Sequence, residues 1–395
     1  MKYSNESVNC PNCRNASCHH FYSLHEQPVS ENILYINQTD ALQAQCGDIE
    51  LFLCEHCGLV FNWAFEPHKL DYGVKYKYTL PTSTYFEAFI NELAEDLIET
   101  YNLKHKHIVE IGCGKGAFLN LLCKLGNNSG VGYDTSYDGP LEANNEKINF
   151  VREHFSPKGI KHIPDMICCR QVIEHITNPG DLISTVKSVL SKDTLTTLFF
   201  ETPDFGWILK NMALWDIYYE HCSYFTEESL SMLFTTNGFK ILRNEKIFND
   251  QYLRIDARFD LSLYKKTYPK ISANIVQTVN KFKVQAKKRL TNIRSKSKDF
   301  SKKGSWVIWG GAAKGVTFCN LVKHEIGDKL HVVDINPIRQ GKFVPLSGNP
   351  IISPDKLVYI KPHTILIMNC NYEKEIEMTL KNLGIMANVI CVDDL

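Results

Sequence analysis

The 395-residue chain carries no net charge, with 44 Lys and Arg balancing 44 Asp and Glu. That balance removes any global electrostatic argument for a nucleic-acid or membrane-surface protein. No apolar run is long enough to span a bilayer. The start, Met1-Lys2-Tyr3-Ser4-Asn5, is polar and has no signal-peptide core. The expectation is therefore a cytoplasmic protein. Cysteine, by contrast, is plentiful at fourteen residues, which in that compartment reads as thiols or metal ligands rather than disulfides. At 44% apolar and 22% charged the composition is that of an ordinary globular protein. The length calls for two or three domains rather than one core.

Four of the cysteines form two knuckles. Cys10-Pro11-Asn12-Cys13 is the first and Cys54-Glu55-His56-Cys57-Gly58 the second, the latter between strand-like Ile49–Leu53 and Leu59–Phe61. Two C-x-x-C pairs supply four thiolates at the spacing of a closed, structural zinc site. Cys10, Cys13, Cys54 and Cys57 are the expected ligands, with Cys18, His19, His20 and Cys46 as nearby competitors. A module this small needs its metal to hold a fold.

A β-type run then leads into a glycine-rich turn, Ile108-Val109-Glu110-Ile111-Gly112-Cys113-Gly114-Lys115-Gly116, followed by a helix. Glycines let the backbone turn tightly and approach a ligand that a Cβ would exclude. The acid ahead of them suits a ligand with a positive end, where a dinucleotide would want the opposite sign. The pattern is that of a class I S-adenosylmethionine (SAM) methyltransferase, with SAM held at Glu110, Gly112, Gly114 and Gly116. A second strand, Gly130–Asp134, ends in an acid suited to ribose hydroxyls. Further strands are expected near Ile148–Val151, Asp165–Cys169 and Leu195–Pro203. Gln171, just past the fourth strand, completes the expected cofactor set of Glu110, Gly112, Gly114, Gly116, Asp134 and Gln171.

Two segments carry acid–base chemistry. Glu174-His175 follows the fourth strand, and Ile217-Tyr218-Tyr219-Glu220-His221 lies beyond the fifth. Tyr218, Glu220 and His221 put a phenol, a carboxylate and an imidazole within four positions. A histidine can serve as a base, a neighbouring glutamate can raise its basicity, and a tyrosine can donate to a developing oxyanion. Upstream, Asp71–Thr79 is rich in tyrosine, with Tyr76 and Tyr78 in a loop that reads equally as packed linker or substrate contact. Residues 263–303 are strongly basic, with Ile275, Val276, Val279, Phe282 and Leu290 hinting at a helix; the expectation is a solvated connector. A second α/β unit follows, entering Gly310-Gly311-Ala312-Ala313-Lys314-Gly315 after Trp306–Trp309. Ala312 stands where a dinucleotide fingerprint has its middle glycine.

The expected fold class is α/β: a class I SAM methyltransferase (Rossmann-like) with an N-terminal zinc-binding module and a C-terminal second Rossmann-like domain. The expected division is 1–80, 81–262, 263–303 and 304–395. In that order of motifs the chain resembles the deoxysugar C-methyltransferases of antibiotic and surface-polysaccharide pathways, over nearly its full length. The resemblance implies a nucleotide-linked 4-keto-6-deoxysugar as small-molecule substrate, deprotonation at C3, and attack of the enolate carbon on the SAM methyl group. It implies His221 as base, Glu220 as its orienting group, Tyr76 and Tyr218 as enolate or sugar contacts, and His175 as the histidine after the fourth strand. The family's G-G-S-L-R-like segment is here Phe248-Asn249-Asp250-Gln251-Tyr252-Leu253-Arg254, without its glycines. A zinc-ribbon RNA base methyltransferase is the main alternative, but it calls for a basic zinc module. Residues 1–70 hold only Lys2, Arg14 and Lys69 as Lys or Arg. No nucleic-acid or membrane partner is therefore expected. A methyltransferase of another small acceptor and a catalytically silent SAM-binding protein are the remaining alternatives.

Overall fold

The computed structural model describes residues 8–70, 83–141, 147–160, 162–190, 195–260, 262, 271–326 and 330–395. The tyrosine loop, with Tyr72, Tyr76 and Tyr78, lies outside them. In chain order the front of the molecule runs β1 (Cys18–Pro28), α1 (Gln38–Leu42), β2 (Cys46–Cys54), β3 (Val60–Asn62) and α2 (Thr84–Thr100). The middle runs β4 (His107–Ile111), α3 (Ala117–Gly126), β5 (Ser129–Tyr133), β6 (Ile148–Val151), β7 (Met166–Arg170), α4 (Pro179–Ser188), β8 (Thr197–Pro203), α5 (Phe205–Asn211), β9 (Ser223–Tyr224), α6 (Glu227–Thr236), β10 (Phe239–Ile247) and β11 (Tyr252–Phe259). The remainder runs α7 (Ala273–Lys303), β12 (Trp306–Trp309), α8 (Ala313–Ile326), β13 (His331–Val333), β14 (Ile351–Ile352), α9 (Leu357–Ile360), β15 (Thr364–Ile367), α10 (Glu373–Asn382) and β16 (Asn388–Cys391).

The central sheet has the order β10-β11-β8-β7-β4-β5-β6. Strands β4 to β8 run parallel, and β11 returns antiparallel against β8. Ile108, Val109, Met166, Ile167, Cys168 and Cys169 are fully buried, because helices cover both faces of such a sheet and its strands read as unbroken apolar runs. The chain direction reverses beside β4, so ligands collect at the carboxyl ends of β4 and β7. The C-terminal sheet, β14-β13-β12-β15-β16, is wholly parallel and has its own reversal beside β12.

The N-terminal sheet, β1-β2-β3-β9, takes its last strand from far along the chain. Val60 pairs with Tyr224 and Phe61 with Ser223, and Asn62 N donates to Cys222 O at 3.0 Å. The segment that carries Tyr218, Glu220 and His221 is therefore fastened to the cysteine-bearing module by backbone hydrogen bonds.

Helix α7 departs from the expected solvated connector. Ile275, Val279, Phe282, Ala286, Ile293 and Phe300 are buried along one face, at the spacing of an amphipathic helix. The Phe282 ring meets Phe21 and Tyr22 edge-on, with centroids 6.2 and 5.4 Å away. The helix packs against β1, α5 and α8 and acts as a spine joining the three sheets. Its basic residues occupy mainly the other face, and their number masks the apolar stripe in composition.

Candidate functional site

The first glycine-rich turn is built as a cradle. Gly112, Gly114 and Gly116 have φ of 69°, 52° and 77°, left-handed values that disfavour L side chains. A Cβ on Gly112 would lie 2.1 Å from Val172 Cγ2, and one on Gly116 would lie 2.4 Å from the Phe150 ring. Gly114 N donates to Asp134 Oδ2 at 2.8 Å, which sets the acid at the end of β5 beside the turn. Glu110 is only 3% exposed. Its carboxylate accepts Leu119 N at 3.1 Å. Burial pushes its pKa up to about 8, against the pull of the Arg170 guanidinium. A carboxyl so placed is short of a positive partner.

Gln171 has φ of +54°, an uncommon conformation that costs energy and clusters at functional sites. Its amide is tied to Glu201, with Nε2 donating to Oε1 at 3.0 Å and the backbone N to Glu201 O at 2.8 Å. Arg170 also pairs with Glu201 at 3.0 Å and stacks over Phe118 at 4.3 Å. The Gln171 side chain therefore stiffens the wall beside the cradle.

The acid–base residues converge. His175 and His221 meet edge-on with centroids 4.9 Å apart, and His221 meets the Tyr218 ring at 4.8 Å. Burial lowers the pKa of His175, and lowers that of His221 well below the usual histidine range, so both are neutral at neutral pH. His175 Nδ1 lies 3.0 Å from Glu220 O. A carbonyl can only accept, so Nδ1 carries the proton and Nε2 keeps its lone pair. Glu174, His175 and His221 bring one ligand atom each within 4.8 Å of one another.

Two roles expected from sequence look different in place. The described contacts of the Glu220 carboxylate run to the N-terminal module, to Ser30 Oγ at 2.7 Å and Glu31 N at 2.9 Å, rather than to His221. The Tyr218 hydroxyl donates to Asp216 Oδ1. Burial and the Asp216 charge hold this phenol well above its usual pKa, so its proton is committed. Arg254, the remnant of the family's last segment, is locked in ion pairs with Asp256 at 2.8 Å and Asp96 at 2.6 Å.

Glu31, Asp216 and Lys314 are functional candidates that sequence reading passed over. Glu31 is 2% exposed. Burial and the Glu220 charge hold its pKa well above the carboxylate range, since two buried carboxyls at close quarters do not both ionise. Nothing in Ser30-Glu31-Asn32 marks it as a motif. Lys314 sits in the second glycine-rich turn and pairs with Asp216 Oδ2 at 2.8 Å. All of these groups line one cavity of about 950 Å³ that reaches from Gly112 and Gly114 to Gly310 and Lys314.

The cysteine cluster lies apart from that cavity. Cys10 and Cys57 Sγ are 3.6 Å apart and Cys13 and Cys54 Sγ 3.5 Å, and all four sulfurs lie within 4.8 Å of one another. A tetrahedral thiolate site with zinc–sulfur bonds near 2.3 Å has edges of about 3.8 Å. The set therefore fits zinc. Gly58, with φ of 73°, closes the second knuckle. His19 and His20 are engaged with Glu55 and Glu50 instead, at 3.1 and 2.8 Å.

Two families of known proteins match the chain. A methyltransferase domain family matches residues 83–244, and a C-methyltransferase C-terminal domain family matches residues 266–387. The C-methyltransferase NovU of Streptomyces niveus is 24% identical over 376 residues, covering 90% of this chain and 87% of that protein. The chain is a SAM-dependent methyltransferase, similar along most of its length to a C-methyltransferase. A ubiquinone biosynthesis O-methyltransferase of Glaesserella parasuis is 30% identical over 129 residues, 29% of this methyltransferase and 50% of its own length. Among solved structures, the magnesium protoporphyrin IX methyltransferase of Synechocystis PCC 6803 with bound S-adenosylhomocysteine (SAH) matches at a TM-score of 0.35 and 16% identity, over 45% of this chain and 84% of that one.

The cradle of the methyltransferase fits SAM in its donor set. Glu110 offers a buried carboxyl for a cationic amino group, Asp134 an acid for ribose, and the glycines room for close approach. A pH dependence follows. A cationic ligand favours the ionised form of Glu110, so binding below about pH 8 must expel a proton. SAH affinity should rise as pH climbs from 6 toward 8. Calorimetry in two buffers of different ionisation enthalpy should register the released proton, and Glu110→Gln should abolish that release. Binding without proton exchange across this range would refute the role of Glu110.

Proposed function

We propose that the enzyme methylates the carbon beside a ketone, C3, on a nucleotide-linked keto-deoxysugar, with His221 as general base. The observation that carries the reading is the pair of neutral imidazoles, half-buried His175 and buried His221, in the same cavity as the SAM cradle. A neutral imidazole can take the weakly acidic proton next to a carbonyl, and burial keeps it ready by excluding water. SAM supplies an electrophilic methyl group. The residues Glu110, Gly112, Gly114, Gly116 and Asp134 would hold it, with Gln171 stiffening the wall. His175, its tautomer fixed by Glu220 O, presents Nε2 beside His221 and can hold the substrate oxygen or relay the proton. Tyr76 remains a proposed sugar contact.

The size of the cavity favours a bulky acceptor. About 950 Å³ lies at the upper end of small-molecule sites and suits two nucleotide-sized ligands. The scarcity of basic residues in the N-terminal module speaks against RNA. Zinc at Cys10, Cys13, Cys54 and Cys57 is proposed as structural, and the protein as cytoplasmic. Among the described residues no helix is long and apolar enough to cross a membrane. To test the reading, the enzyme is incubated with SAM and a panel of nucleotide-linked keto-sugars and small RNAs, and each is weighed by mass spectrometry. A gain of one methyl group on a keto-sugar is expected. A gain on RNA alone would overturn the reading.

A further inference from the structure

The second glycine-rich turn has so far no task. In a nucleotide-binding unit its helix start would face a pyrophosphate. As in the first turn, the acid at the end of the next strand accepts backbone amides, Asp334 taking Gly311 N and Asn336 N, both at 2.8 Å. Gly315 lets helix α8 close on the turn, because a Cβ there would lie 1.8 Å from Gly310 O. Lys314, the second residue of α8, occupies a position where the helix dipole disfavours a cation. Its surroundings explain its presence. Lys314 Nζ contacts Asp216 Oδ2 at 2.8 Å and Gln251 Oε1 at 2.9 Å, and lies 5.0 Å from the centre of the Trp207 ring. Gln251 is held in turn by Asn369, whose Oδ1 accepts Gln251 Nε2 at 3.1 Å. The helix packs directly on the turn Leu214–Asp216.

We infer that Lys314 is a positioning residue for methyl transfer, acting through Asp216 on Tyr218, so that the C-terminal unit completes the active site of the methyltransferase domain. This rests on the reading of His221 as base. The line is continuous: Lys314 fixes one oxygen of Asp216, the other oxygen receives the Tyr218 hydroxyl, and the Tyr218 ring abuts His221 at 4.8 Å. The Tyr218 ring at the end of this line bears on the imidazole together with the rings of His175 and Tyr224, whose centroids lie 4.9 and 6.1 Å from that of His221. A salt bridge such as the largely buried Lys314–Asp216 contact holds its geometry more firmly than a neutral hydrogen bond.

The test is a cycle of Lys314→Met, Asp216→Asn and the double variant, with Lys314→Arg as the conservative control and thymidine-diphosphate-4-keto-6-deoxyglucose as probe. Lys314→Met should lower kcat at least tenfold with KM for SAM and SAH affinity unchanged. Lys314→Arg should recover most of the loss. In the Asp216→Asn background, Lys314→Met should cost less than a further twofold, because its route to Tyr218 is already cut. Independent, additive losses, or full activity in Lys314→Met, would overturn the inference. If the wild type does not methylate the probe, the substrate reading fails while the inference is still decided by crystallography. A Lys314→Met structure should show Asp216 displaced from the Tyr218 hydroxyl, and an undisturbed Asp216–Tyr218–His221 arrangement would refute it.

Discussion

His221→Asn is expected to lose roughly 10²-fold or more of methyl transfer, the usual scale for removing a general base, while binding SAH as the wild type does. His221 is 9% exposed, and its pKa lies well below the usual range through burial and the neighbouring His175. The asparagine amide is polar and smaller, so it fits the same buried position but cannot take up the proton. Exchange of the acidic C–H with deuterated solvent, with SAH in place of SAM, should slow in parallel. His175→Asn should have the milder effect, since its Nδ1 is held by Glu220 O. Retained exchange and turnover in His221→Asn would pass the role of base to His175. Because Glu174, His175 and His221 can also gather around a cation, turnover should be insensitive to a chelator that spares the cysteine site. Inactivation by that chelator would make them metal ligands instead.

Cys54→Ser is expected to abolish metal binding and to destabilise the whole enzyme. Thiolate zinc sites of this kind hold about 10–16 kcal/mol of binding free energy, which doubles as folding free energy. Purified wild type should carry about one zinc per chain, and the variant close to none. Strand β3 joins the cysteine module to β9, and Ser30 and Glu31 hold Glu220. Loss of the module should therefore reach the catalytic segment. At about 2–4 °C per kcal/mol for a large domain, a loss of several kcal/mol lowers the unfolding midpoint by at least about 5 °C. A variant with full zinc and unchanged midpoint would refute Cys54 as a ligand.

Local patterns were legible in the sequence because each is written within a few residues. The Glu110–Gly116 turn, the two cysteine knuckles and the successive strands β4 to β8 are of this kind. Helix α7 was misjudged because its many lysines and arginines dominate composition, whereas burial depends on which face carries Val279 and Phe282. The partner of Glu220 was illegible for a different reason. Ser30 and Glu31 are some 190 residues away along the chain, and a single buried glutamate leaves no motif. Asp216 and Lys314 were visible as residues, in Trp215-Asp216-Ile217 and in the second glycine-rich turn, but only the packing of α8 on Leu214–Asp216 makes them a pair. The glycine-free turn at Phe248, Asn249 and Asp250 still takes positive φ, at 53°, 53° and 62°. Its shape survives there through tertiary contacts, such as Phe248 stacked on Tyr252 with centroids 5.1 Å apart.

The most direct measurement of the central claim is the position of the transferred methyl group. The enzyme is incubated with SAM labelled with carbon-13 at the methyl and with thymidine-diphosphate-4-keto-6-deoxyglucose in deuterated buffer, and the product is examined by NMR. The account predicts a labelled methyl bonded to the carbon beside the ketone, with its carbon–carbon coupling visible and with prior deuterium exchange at that carbon in SAH controls. A labelled methyl on oxygen or nitrogen, or transfer to carbon that is unaffected by loss of His221, would contradict it.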